Sequence, residues 1–100
     1  MRLKGKKVRK EKLYAVGYSA ELEMYVMEYA VTWIAWYNRY FAITEEEYRL
    51  FDSASERLDA LAERFGREGV SSERFICSEK PDENSTEEQR AALTKIRQKS

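Results

Sequence analysis

Between Ile43 and Gly66 apolar side chains recur at intervals of three and four: Tyr48, Phe51, Leu58, Leu61, Ala62 and Phe65, with small Ala54 and Ser55 in the intermediate turn. That spacing lines them up on one stripe and predicts a single amphipathic helix. Both ends carry signals. Thr44 and Glu47 stand at the spacing of a capping box, with Ile43 and Tyr48 placed for a hydrophobic staple. Gly66 offers the left-handed stop. On the polar side, Glu45 with Arg49 and Glu63 with Arg67 are four apart, each pair adding about 0.2–0.5 kcal/mol.

The flanking segments read as strands. Leu13 to Ser19 alternates loosely, with Leu13, Ala15, Gly17 and Ser19 on one face and Tyr14, Val16 and Tyr18 on the other. Met24 to Ile43 has apolar residues on both parities, but they are β-branched or aromatic, types that fit a pleated surface. Burial on both faces would account for the lost alternation. We read one long strand, or two joined by a turn near Asn38 and Arg39; a helix from Ala20 to Trp36 is the alternative. Ser72 to Ser78 is a further strand, with Phe75 and Cys77 on one side and Arg74, Ile76 and Ser78 on the other.

Pro81 to Ser85 is a polar turn, and Ser85 with Glu88 forms a second capping box opening a helix to about Gln98. Its apolar face is only Ala92, Leu93 and Ile96. At about 1.5–3 kcal/mol for each large side chain, two anchors hold twelve residues weakly against their ordering entropy. This helix is expected to be frayed or partner-dependent. The fold class is α+β: a small antiparallel sheet packed against one long amphipathic helix, with a short C-terminal helix. Residues 1–12 are expected to be a basic flexible arm, 13–80 a single α+β domain, and 81–100 the polar turn and weak helix.

Charge sharpens this picture. The formal net charge is zero, but it is segregated. Residues 1–12 hold seven basic side chains against one acidic, residues 21–88 seven against seventeen, a net of −10, and residues 89–100 four against none. The basic ends can fold back onto the acidic body or reach for an anionic partner.

Candidate chemistry is sparse. There is one cysteine and no histidine, which rules out an intramolecular disulfide, a Cys/His zinc site and histidine acid/base catalysis. A lone thiol fits a reducing cytosol. The basic amino terminus is not followed by a credible signal-peptide core, and no apolar run reaches membrane-spanning length. Cys77 reads as a buried structural thiol, and Glu45, Glu46 and Glu47 suit the helix dipole better than a metal. No cofactor is expected. Trp33, Trp36, Tyr37 and Tyr40 could line a ligand pocket, but the helix stripe needs a partner and core packing is the reading adopted for them. Tyr and Trp on the second sheet face would be interface anchors.

The run from Trp33 to Tyr40, the junction from Ile43 to Tyr48 and the segment from Glu73 to Glu79 resemble small bacterial immunity proteins of toxin-immunity systems, including those of contact-dependent growth inhibition. The resemblance implies a cytoplasmic, non-enzymatic inhibitor that binds a cognate toxin domain tightly and blocks its active site or substrate groove. The residues point the same way. An acidic body would steer toward a basic toxin, such as a nuclease domain. The candidate partner-binding residues are Glu46, Asp52, Glu56, Asp59 and Glu63, with Tyr25, Tyr29 and Tyr40 as anchors. A homodimer is also open. The second hypothesis is a nucleic-acid-associated regulatory protein using Arg2 to Lys12 as an electrostatic arm, against which the −10 body argues.

Overall fold

The computed structural model describes residues 1–99. Five strands form one antiparallel sheet in sequential order: β1 (Leu3–Arg9), β2 (Tyr14–Ser19), β3 (Met24–Thr32), β4 (Trp36–Ile43) and β5 (Phe75–Ser78). Helices α1 (Glu45–Ser53) and α2 (Ser55–Glu68) connect β4 to β5, and α3 (Glu87–Lys99) follows β5. The α+β class and the C-terminal helix agree with the sequence.

Strand parity divides the core in two. Tyr14, Val16, Met27, Phe41 and Ile43 face α2, where Leu58, Ala62 and Phe65 are buried against them. Phe41 and Phe65 stack with ring centroids 4.5 Å apart and planes within 4° of parallel. The alternate residues Val26, Tyr40 and Cys77 face the other way and are buried with Leu93 and Ile96 of α3 and Leu3 of β1. Two-sided burial of β3 and β4 explains why their sequence does not alternate.

Several sequence expectations need correction. Residues 3–9 are not a flexible arm but an edge strand, paired with β2 from Leu3↔Ser19 to Arg9↔Tyr14. Its cations reach across to acids: Arg9 forks onto Asp59 through Nε and Nη2, both at 2.9 Å, Lys6 meets Glu28 at 3.3 Å, and Lys7 pairs with Asp52. The basic segment folds back on the acidic body. Periodicity could not show this, because a lysine-rich edge strand has almost no apolar side chains of its own. Lysines and the irregular register between Lys4 and Lys7 also guard this edge against pairing with another chain.

The one long helix on the sheet is α2, and the run read as a single helix from Ile43 holds the shorter α1 before it. Ala54 leaves helical geometry at φ −160°, ψ 67°, at the Ser53-Ala54-Ser55 stretch, where serines compete with helical hydrogen bonding. Thr44 and Glu47 form the capping box as read, but Gly66 is not the stop. α2 continues to Glu68, and Gly69 at φ +57° ends it. Gly66 instead makes room for the Tyr29 hydroxyl, which a Cβ would approach to 2.5 Å. The β3–β4 turn lies at Trp33–Ala35, closed by the pair Thr32↔Trp36, and Asn38 and Arg39 are within β4. No helix forms over 20–36. In β5 a register shift between Tyr40↔Cys77 and Phe41↔Phe75 makes Ile76 the extra residue. Phe75 therefore packs toward α2, its ring 5.8 Å from that of Phe41, while Cys77 packs toward α3.

α3 is not frayed against the body. Leu93 and Ile96 are buried on Val26, Tyr40 and Cys77, because the second sheet face is apolar and needs a cover that the sequence pattern of α3 alone does not disclose. Its cap is Thr86 with Gln89 rather than Ser85 with Glu88: the Thr86 hydroxyl accepts from the Gln89 amide at 3.1 Å, and the Gln89 side chain accepts from the Ser85 and Thr86 amides. Before it, Asn84 bonds both backbone groups of Ser78, at 2.8 and 3.0 Å, closing the end of β5.

Leu58→Ala should cost about 2–5 kcal/mol in chemical denaturation. Ile96→Ala should cost a similar amount, about 2–4 kcal/mol, if α3 covers the second face; a loss under about half a kcal/mol would show that it does not.

Candidate interaction surface

Antiparallel order puts the β1–β2 and β3–β4 turns at the same end of the sheet. The β3–β4 turn is apolar and stands in solvent, with Trp33 71%, Ile34 92% and Trp36 69% exposed. A three-residue hairpin tip normally carries polar or glycine residues; two tryptophans and an isoleucine contribute nothing there to the core. At the neighbouring turn Leu13 adopts φ 62°, a conformation disfavoured for a leucine. It presents a partly exposed apolar side chain at the same end. Its carbonyl accepts from the Ala30 amide at 2.9 Å, which ties the two hairpins together.

Behind the tip, on the α3 side of the sheet, the helix stops short of covering everything. The uncovered part is a groove of about 330 Å³ floored by Ala15 and Ala30 and walled by Val8, Leu13 and Trp36. A second hollow of about 530 Å³, between α1 and α2, is lined by Glu46, Glu47, Arg57 and Arg64 and is of mixed charge.

The residues singled out from sequence do not gather at one place. Tyr40 is wholly buried, its hydroxyl donating to Glu79 at 3.1 Å, so it cannot be a surface anchor. Asp59 accepts from the Tyr14 hydroxyl at 2.7 Å as well as from Arg9, and Asp52 holds Lys7; both fasten β1 to the helices. Tyr25 sits between Tyr18, which it meets edge-on, and Tyr48, which it meets tilted, with centroids at 5.2 and 4.9 Å, and Tyr29 packs edge-on to Phe41. Glu46, Glu56 and Glu63 are exposed on α1 and α2. Trp33 and Trp36, assigned to the core from sequence, are on the surface. Ile34 was missed altogether. The one available signal was the missing turn chemistry in Trp33-Ile34-Ala35-Trp36, and it pointed toward a continuous strand instead.

The shifted ionisable groups are held in structural contacts. Arg39 donates to Glu83 through Nε and Nη2 at 2.9 and 2.8 Å, and the Tyr37 hydroxyl donates to the same carboxylate at 2.7 Å. Arg39 beside it, with help from Tyr37, brings the Glu83 carboxyl down to about 2. The Asp59 carboxyl lies below its usual range because Arg9 and Tyr14 donate to it. Burial, and then the bond to Asp59, raises the Tyr14 phenol. For Glu47 burial pushes upward but is outweighed by Arg74 and the Thr44 amide, so its carboxyl falls below the usual range. Burial, with the Glu79 charge, pushes the Cys77 thiol up to about 12; it is no nucleophile at neutral pH. Among the described residues no group of three His, Cys, Asp or Glu could hold a metal ion, and no helix is long and apolar enough to cross a membrane.

Because the Glu83 carboxyl is lowered on folding, the stability it contributes is present above its unfolded value near 4.5 and is lost as pH falls toward about 2. Glu83→Gln should flatten the fall in melting temperature across that window; an unchanged slope would show that the Arg39 pair does not form. No family model matches this chain, and no curated protein or solved structure matches it either.

Proposed function

We propose that the protein is a non-enzymatic binding module that docks by inserting the β3–β4 tip into a cleft of a protein partner, acting as an immunity-type inhibitor that neutralises a toxin domain in the cytoplasm. The observation that carries this reading is the exposure of Trp33, Ile34 and Trp36 together on one protruding turn. Trp is the residue type most enriched among binding hot spots, and a convex apolar tip is complementary to a concave site such as a catalytic groove. The exposed acids Glu46, Glu56 and Glu63 add a field that would speed encounter with a basic partner such as a nuclease. Against the nucleic-acid alternative stands the engagement of Lys6, Lys7 and Arg9 by Glu28, Asp52 and Asp59, which takes up much of the basic charge an arm would offer to phosphates.

The test uses Ile34→Asp, a change at an exposed turn that leaves the fold intact. Wild-type chain should form a one-to-one complex with its partner, shift its tryptophan emission to the blue and protect cells that express the partner toxin. Ile34→Asp should weaken the complex by about a hundredfold and abolish protection. Equal binding and protection by the variant would overturn the tip as the docking element.

A further inference from the structure

The groove behind the tip has a chemistry of its own, and we infer that it is a separate binding site for a small amphipathic anion, an aliphatic or aromatic carboxylate. Two alanines make the hollow. Ala15 and Ala30 lie at the tip end of this face on β2 and β3, where larger side chains would fill the space left by α3. Val8, Leu13 and Trp36 stand around them as apolar walls, and the left-handed backbone at Leu13 keeps its side chain on the lip. Strain of this kind persists where surrounding structure holds it, and it gathers at ligand sites. The volume of about 330 Å³ is at the small end of the range for ligand sites.

Four polar side chains line the groove, Glu28 and Asn38 beside the floor alanines and Lys6 and Lys10 on the β1 side, and they are unequal. Lys6 and Glu28 satisfy each other at 3.3 Å, leaving no net charge. Lys10 also lines the groove but has no ion pair among the described residues. Asn38, on β4, lines it as well. The site thus combines an apolar floor with one unmatched cation at its edge. That asymmetry selects a ligand with a hydrocarbon body and one negative head, and disfavours both a cation and a neutral hydrocarbon.

Octanoate, octanol and octyltrimethylammonium, all below micelle-forming concentrations, are the probes. Binding is read from amide shifts at Ala15 and Ala30 and from Trp36 emission in a Trp33→Phe background. Octanoate should saturate a single site at roughly millimolar concentration or below, octanol should bind several-fold more weakly, and the cation should not saturate. Lys10→Glu should weaken octanoate by roughly three- to tenfold, and Ala30→Leu should abolish binding by filling the hollow. Should Ala30→Leu fail to fold, Val8→Glu, at a half-exposed position, serves the same purpose. Ile34→Asp should leave octanoate binding unchanged, which separates this site from the docking tip. Octanol binding as tightly as octanoate, binding that survives both groove substitutions, or partition without saturation would each overturn the inference.

Discussion

A five-stranded sheet whose central strands are apolar on both faces must be covered twice, and the connections of this chain supply one full cover and one partial one. α1 and α2 roof the face that carries Met27 and Phe41, while α3 reaches only the part of the other face that carries Val26, Tyr40 and Cys77. Everything at the opposite end follows from that shortfall. Ala15, Ala30 and Trp36 lie where a cover would be and none arrives, so the sheet ends in a hollow below an apolar turn. Core packing accounts for the buried half, while the exposed half carries more apolar surface than the fold itself uses.

Charge pairing holds the thin edge of this arrangement. β1 contributes Leu3 to the core and little else, and it is held to the helices by side-chain bonds from Arg9 and Lys7 and by the Tyr48 hydroxyl, which donates to the Gly5 carbonyl at 2.6 Å. Such exposed ionic contacts weaken with salt. On the far side, Arg74 ties the start of α1 to the end of β4, donating to Glu47 at 2.8 Å and to the Ala42 carbonyl at 3.0 Å. The same carboxylate that caps the helix thus also anchors the β5 edge.

What was legible in the sequence was whatever local pattern determines by itself. The Thr44–Glu47 cap, the stripe from Leu58 to Phe65 and the alternation of β2 depend on neighbours three or four, or two, residues away. What was not legible depends on distant partners. β1 is a strand because Asp52, Asp59 and Glu28 wait opposite its cations, and α3 is held because an apolar sheet face lies beneath Leu93 and Ile96. Gly66 looked like a stop because nothing local reveals that the Tyr29 hydroxyl comes to rest against it. The exposed apolar tip was hidden for a related reason: aromatic and β-branched residues favour strands, and Trp33 to Ala35 turn instead.

Cys77 lies on the short edge strand with α3 directly over it, its sulfur sealed from solvent and its proton firmly held. No reagent or oxidant can reach that atom while the helix is seated. The thiol is therefore a built-in clock: how often it becomes modifiable counts how often the cover over the second sheet face opens.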